Sequence, residues 1–252
     1  PDDGLYGLAI YTQMDYDAMT MGVENAMFSY GGDWQDENNN VLGIVNSPEA
    51  IAALEKYREL YECCQAPGLS NAFFAEVNDA FTSGQAAMAM NYFAFFPALV
   101  NPETNPYAES TGFFVNPAGP GGEQFAAMGG QGMSIINYIP DDRKEAVKDF
   151  ILWFGAEENQ AEWARLGGFS NNTNVLQTEE FLSATPFNPA FAETMNFVKD
   201  FWNVPVYGEL LEVAQREFGR YILEGQGTAE EAMNNIATEH DQILRDAGLI
   251  TE

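Results

Sequence analysis

Basic residues are scarce in this sequence. Ten Lys and Arg stand against 38 Asp and Glu, giving a formal charge of −28 over 252 residues. Such a chain repels phosphate backbones and anionic lipid surfaces, so nucleic-acid binding is excluded. The acids are spread over prospective helix faces and loops, the pattern of a solvated surface. Histidine is almost absent. His240 is the single one, with no cysteine or second histidine nearby, so it reads as a packed residue beside a helix stripe and the sequence offers no metal site. The motifs G-x-S-x-G, H-E-x-x-H and C-x-x-C are missing, and one histidine leaves little for acid–base work. A carboxylate pair can always be found among so many acids, so a glycoside hydrolase stays open only as an alternative. No cofactor motif is present.

The two cysteines, Cys63 and Cys64, are adjacent. Neighbouring Cα atoms lie about 3.8 Å apart, below the usual disulfide range, so two thiols packed as small apolar groups are expected. Long hydrophobic runs are lacking too. Stretches such as Ala86 to Met90 and Phe150 to Phe154 are far too short to span a bilayer. The opening PDDGLYGLAIYTQ has neither a basic start nor an apolar core of the signal-peptide kind.

What is present is a core-forming composition, 46% hydrophobic, enough for one large domain or two small ones. The rest is organised around Asn78 to Leu99. Asn78 to Thr82 predicts a helix end, Ser83-Gly84 a left-handed turn, and Ala86 to Met90 a buried strand. Asn91, Tyr92, Phe93, Phe95 and Phe96 then place amides and rings at the strand's carboxyl end, where ligands sit in open α/β sheets. A strand followed by core aromatics accounts for the same residues. Pro97 is expected to open a further helix.

The pattern of strand, polar turn and helix occurs earlier as well. Leu5 to Thr12 reads as a strand, and Asp15 is expected to cap a helix carrying Tyr16, Met19 and Val23 on one stripe. Gln13, Asp15 and Tyr16 thus sit where a helix start meets a strand end, able to hydrogen-bond hydroxyls. A partly exposed surface Tyr16 fits equally. The acidic loop after Gly32 fails as a calcium loop, because counting from Asp36 puts Val41 where glycine is needed and Ser47 where glutamate is needed. Ser47-Pro48-Glu49 starts a helix with Ile51, Leu54, Tyr57, Tyr61 and Cys64 on its apolar face, ended by Pro67-Gly68, and a second helix covers Phe74 to Phe81.

Pro97, Pro102, Pro106, Pro117 and Pro120, five of the twelve prolines, mark a boundary region interrupted by a strand at Gly112 to Val115. Phe125 to Ile136 predicts another strand, in which Gly129, Gly130, Gln131 and Gly132 leave the backbone open to close approach. The spacing is not that of a phosphate loop. Asp141 or Asp142 caps a helix with Val147, Phe150, Ile151 and Phe154 on one face, and a second helix runs from Glu157 to Leu166 before Gly167-Gly168. From Thr178 onward the pattern is helical with breaks at Pro186, Pro189 and Pro205, and Thr228 with Glu231 makes a capping box. Asn171-Asn172-Thr173 is formally a glycosylation sequon and carries no weight.

Three stretches together resemble a known family. A helix ending F-x-x-G-x-A-A-M before a small-residue strand, MGGQGMSII followed by PDDRKEAVKDFILWF and GAEENQAEWARLGGFSNN, and the closing EGQGTAEEAMNNI are similar to the extracellular solute-binding proteins of ABC importers, the maltose-binding-like family. The resemblance touches nearly the whole chain. It implies an α/β fold of the periplasmic-binding-protein type II architecture, mainly the C-terminal lobe plus a strand-helix-helix segment of the N-terminal lobe. Family members are longer, and a missing N-terminal portion of roughly one domain is expected.

The implied organisation is a first part of the C-terminal lobe over 1–122, a hinge strand and helices of the N-terminal lobe over 123–173, and a return to the C-terminal lobe over 174–252. The implied function is binding of an uncharged mono- or oligosaccharide between lobes, and its delivery to the transmembrane subunits of a membrane permease by a monomeric, periplasmic or extracellular, non-catalytic receptor. Sugars show apolar C–H faces and a rim of hydroxyls, which aromatic, amide and hydroxyl groups match. The expected ligand-binding residues are Gln13, Asp15, Tyr16, Asn91, Tyr92, Phe93 and Tyr207, with Gly129, Gly130 and Gln131 from the hinge strand and Phe169, Ser170 and Asn171 from a loop returning to the cleft. Asp15 and Asp17 beside these rings keep a cationic ligand such as a polyamine as the second possibility.

Overall fold

The computed structural model describes residues 4–130 and 132–250. It divides into two units: Pro1–Thr111, Asn116–Met128 and Phe197–Glu252 form unit 1, and Gly112–Val115 with Gly129–Asn196 form unit 2. The sequence-based boundary at 122/123 therefore falls inside unit 1, and that at 173/174 inside unit 2.

Unit 1 begins with β1 (Tyr6–Ala9), which pairs in parallel with β2 (Ala86–Ala89) in the register Tyr6↔Ala86, Leu8↔Met88 and Ala9↔Ala89. Between them come α1 (Ala18–Ser29), α2 (Pro48–Cys64) and α3 (Phe74–Thr82). The helix starts follow local chemistry. Ser47 Oγ accepts the Ala50 N–H at 3.3 Å, and Pro48 occupies the first helical position, where a missing N–H costs nothing. Gly84, at φ +75°, makes the left-handed turn from α3 into β2, a conformation a β-carbon disfavours.

A second parallel pair joins β3 (Ala126–Ala127) to β4 (Val198–Lys199), and α9 (Tyr207–Ile222) and α10 (Ala229–Asp246) complete the unit. Thr228 and Glu231 form the expected capping box, with Glu231 N–H on Thr228 Oγ1 at 3.1 Å and Thr228 N–H on Glu231 Oε2 at 2.9 Å. The main core lies among α1, α2, α9 and α10 and contains Met19, Leu54, Tyr57, Leu210, Phe218, Met233 and Ile236. Each fully buried large apolar side chain contributes about 1.5–3 kcal/mol. Tyr57 reaches across to donate to the Tyr11 carbonyl at 2.7 Å, passing over Gly22, where a Cβ would lie 2.1 Å from its hydroxyl oxygen. A smaller cluster of Ala9, Tyr11, Met21, Ala72, Val77 and Ala86 packs beneath the β1–β2 pair.

Unit 2 holds α4 (Asp141–Gly155), α5 (Glu157–Arg165), α6 (Thr173–Leu176), α7 (Glu179–Ala184) and α8 (Asn188–Thr194). Its core is small: Ala164, Val175, Leu176 and Phe181, joined by Leu182, Phe191, Ala192 and Met195. Phe150, Leu152, Trp153 and Leu166 are exposed, and no residue of α4 is fully buried. No helix among the described residues is long and apolar enough to cross a membrane.

Several expectations are corrected. Asp15 does not cap α1; Asp17 takes the N-cap position, and Tyr16 leaves the helical stripe at φ +58°. Asp141 and Asp142 lie in the first turn of α4 after an N-cap Pro140. Pro97 sits inside a short 3-10 helix, Phe93–Ala98, rather than opening an α-helix. The predicted strand at Gly112 to Val115 does not form, and among the described residues that over Phe125 to Ile136 contracts to Ala126–Ala127, where a neighbouring strand supplies ladder partners. That partner, β4, lies in a region whose pattern predicts helix.

Cys63 and Cys64 are joined in a disulfide with their Cα atoms 3.7 Å apart. The expectation of two thiols rested on separations typical of residues distant in sequence. At the end of α2, just before the chain becomes extended at Gln65, the two adjacent side chains meet.

Candidate ligand site

The carboxyl ends of β1 and β2 lie side by side, and the residues following them form a polar and aromatic group. After β1 the chain is pinned to the loop behind α2. Thr12 is fully buried, donates to the Leu69 carbonyl and accepts the Ala72 N–H at 2.9 Å, while its own N–H and that of Gln13 go to the Ala72 carbonyl. The Gln13 carbonyl takes the Met19 N–H at 3.1 Å, turning the chain into α1.

Tyr11, which sequence reasoning treated as strand interior, is the hub. Its hydroxyl donates to Asn91 Oδ1, and its ring lies 5.0 Å from Phe73 and 6.3 Å from a nearly parallel Tyr92. Burial pushes both tyrosine hydroxyls well above their ordinary pKa, so they act as neutral donors. Asn91 is committed inside the unit: Nδ2 donates to the Phe74 carbonyl at 2.9 Å and to Asn78 Oδ1 at 2.8 Å, and Oδ1 also accepts the Tyr92 N–H. The Tyr92 hydroxyl donates to Met21 Sδ at 2.8 Å. Phe93 turns away into the 3-10 segment, 4.7 Å from Phe96.

Tyr16 is 70% exposed, with its ring 6.0 Å from Phe73, and Asp15 is exposed beside it. A non-glycine residue at positive φ is uncommon and concentrates at functional sites. Tyr207, at the start of α9, donates to Asp17 Oδ2 at 3.4 Å, and its ring packs on Phe201 and Trp202. Burial raises the Asp17 carboxyl above its usual range, partly offset by a bond from its own backbone and by that from Tyr207. Asp17 Oδ1 has no partner among the described residues.

Behind Asp17 lies Glu24, fully buried on α1. Trp34 Nε1 donates to its Oε2 at 3.1 Å, while Oε1 has no partner among the described residues. Desolvation first, then the carboxylates of Asp200, Asp17 and Asp33, push its pKa well above the ordinary value. Sequence reasoning missed Tyr11 and Glu24. A signal for Glu24 existed: it is the single charge in AMTMGVENAMFS, a helix otherwise nearly all buried.

Of the expected residues, the structure thus gathers Gln13, Asp15, Tyr16, Asn91, Tyr92 and Tyr207 around the strand ends of unit 1, with Phe93 set apart. The remaining ones belong to unit 2. Gly129 and Gly130 are exposed, and Gln131 lies outside the described residues. Phe169 packs on Phe187 and Phe191, and buried Ser170 donates to Gln160 Oε1 at 2.9 Å and accepts the Asn172 N–H. Asn171 is exposed. No group of acids, histidines and cysteines able to hold a metal occurs among the described residues.

Comparison with known proteins places this geometry in a class. Residues 7–190 match the family model of bacterial extracellular solute-binding proteins, and the chain belongs to that family. It is 23% identical over 179 residues to a probable ABC transporter-binding protein of Deinococcus radiodurans, covering 71% of this chain and 42% of that one. Among solved structures, the maltose-bound T. maritima MalE3 superposes with a TM-score of 0.82 at 26% identity, over 96% of this chain and 62% of the other. A ribitol complex of an ABC transporter solute-binding protein from Agrobacterium radiobacter gives 0.78 at 22% identity, over 96% and 61%. The fold is the α/β type II periplasmic-binding-protein architecture. The chain spans 42% to 62% of the length of these relatives, less than two thirds of each.

Proposed function

We propose that this chain is the recognition part of a non-catalytic receptor that binds an uncharged mono- or oligosaccharide and hands it to the transmembrane subunits of an ABC permease, acting as a monomer in the periplasm or outside the cell. The observation that carries the reading is the set of ring and acceptor groups, Tyr11, Tyr16, Asp17, Tyr92 and Tyr207, assembled at the carboxyl ends of two parallel strands. Rings match the C–H faces of a sugar and the polar groups its hydroxyls. The family supports a binding role, and the relatives solved with maltose and with ribitol support a polyhydroxylated ligand. Exposed Asp15 and half-buried Asp17 beside these rings favour a second reading, a cationic ligand such as a polyamine.

Thermal-shift measurement with maltose, D-mannitol and spermidine tests these readings. A ligand at a hundred times its Kd adds about 2.7 kcal/mol of stability, a shift of several degrees. A rise with sugar or polyol supports the first reading and a rise confined to spermidine the second. Hydrolysis of a glycoside without any rise would overturn both.

A further inference from the structure

Cys63 and Cys64 end α2, and their bridge lacks both properties of a structural disulfide. It joins neighbouring residues, so it removes almost no freedom from the unfolded chain. Nor is it sealed in a core. Cys63 is exposed, and Cys64 is half-buried, with its Cβ 3.5 Å from the point where a β-carbon on Gly7 would stand. An accessible bridge that staples no distant segments is of the labile, exchange-prone kind.

The anchoring of this corner comes from the next residue. Gln65 Oε1 accepts the Ile10 N–H at 2.8 Å, and Gln65 Nε2 donates to the Ile10 carbonyl at 3.0 Å and to the Leu69 carbonyl at 3.2 Å. Gln65 also forms a parallel bridge with Leu8. Ile10 is buried, and its two backbone groups are answered by this one side-chain amide. These bonds hold the end of α2 against β1 without help from sulfur, so the disulfide can open while the fold around it stays intact.

We propose that Cys63–Cys64 is a reversible redox site, opened in the folded protein by a dithiol reductant that enters at Cys63. A thiolate of the reductant attacks the exposed Cys63 sulfur. A bond forms between those two sulfurs, the Cys63–Cys64 bond breaks, and its electron pair leaves on the Cys64 sulfur, which takes up a proton. The reductant's second thiolate then attacks the reductant sulfur of the mixed disulfide; Cys63 leaves, takes up a proton, and the reductant departs as a cyclic disulfide. The protein gains two electrons and two protons, and the dithiol loses them. A monothiol fails at the second step, because Cys64 sits beside the mixed disulfide and expels it before a second molecule arrives. The opened pair is a two-sulfur clamp for a thiophilic centre such as trivalent arsenic: an arsine oxide forms two As–S bonds there and releases one water.

Quenched alkylation and intact-mass measurement on the folded chain, without denaturant, test this. Dithiothreitol should give two alkylated cysteines, and 2-mercaptoethanol at equal thiol concentration about tenfold fewer opened molecules. Oxidised glutathione should return the count to zero. After removal of the reductant, phenylarsine oxide should add once to the opened protein and not to the untreated one. The melting transition should persist on reduction. In single variants, hydroxyethyl disulfide should cap Cys63 in Cys64→Ser about tenfold faster than Cys64 in Cys63→Ser; if either variant does not fold, the measurements on the unsubstituted chain carry the test. Opening that requires urea, loss of the melting transition on reduction, equal opening by monothiol and dithiol, or equal capping of the two cysteines overturns the proposal. None of these readouts involves the solute, so their failure leaves the receptor reading standing.

Discussion

Asn25 Oδ1 accepts the backbone N–H of Ala127 at 2.8 Å, tying the middle of α1 to β3. The same oxygen accepts Asn116 Nδ2 at 2.7 Å, and Asn25 Nδ2 donates to the Met21 carbonyl at 2.6 Å. One amide therefore serves three segments of unit 1. Asn25→Ala removes the acceptor and leaves the Ala127 N–H and the Asn116 amide to find water or go unpaired. An unsatisfied buried donor costs about 1–3 kcal/mol, and urea unfolding should lose that much with an unchanged slope. A loss below a few tenths of a kcal/mol would show that water replaces the amide freely.

Glu24 predicts a pH dependence. Because burial raises its folded-state pKa, the folded protein keeps a proton that the unfolded chain releases above about pH 4.3. Its stabilising contribution is complete below that pH and is lost as pH rises through the folded value. Glu24→Gln retains an acceptor for Trp34 and does not titrate. Its melting-temperature advantage over the parent should be smallest near pH 4 and largest near pH 8. A constant difference across that range would contradict a buried, proton-retaining Glu24.

His240 is fully buried, its Nε2 lies 2.8 Å from the Leu210 carbonyl, and desolvation pushes its pKa down to about 4. It is the single histidine, so one imidazole signal reports on it. That resonance should stay at its neutral position between pH 7 and pH 5. Since the unfolded chain takes up this proton near pH 6.5, His240 contributes stability that is present above that pH and is lost as pH falls towards 4. Titration near pH 6.5 in the folded protein would place the ring in water.

The Cys63–Cys64 disulfide predicts no reactive thiol in the untreated protein and two after reduction. A bridge between neighbours closes almost no loop, so it restricts the unfolded chain little. The Cys63→Ser, Cys64→Ser double variant should lie within about 1 kcal/mol of the parent in urea unfolding. A larger loss would point to packing around Gly7, whose Cβ position is 3.5 Å from Cys64 Cβ.

Local rules explain which elements were legible. Ser47-Pro48 and the Thr228/Glu231 box act within four residues of each other, and the structure forms both starts as the residues predict. Ser83-Gly84 likewise announces its turn. The strand after Phe125 was over-extended because alternation and glycine content say nothing of whether a neighbour is present to take the ladder bonds. Asp15 and Asp17 are equally good caps by type. Tyr16 adopts a positive φ, outside the helical region, and the helix starts after it, at Ala18.

The sequence by itself determined the acidic character, the family pattern, the starts of α2 and α10 and the ring-bearing segment after β2, because each depends on composition or on residues close along the chain. Tertiary structure alone decided that Tyr11 would join Asn91 across 80 positions and that Asp17 would face Tyr207 across 190. It also decided that Glu24 would be sealed behind them. Those pairings arise from the parallel register of β1 on β2 and from the packing of α1 against α9, where distant segments exclude water together. No local spacing encodes which side chains meet there.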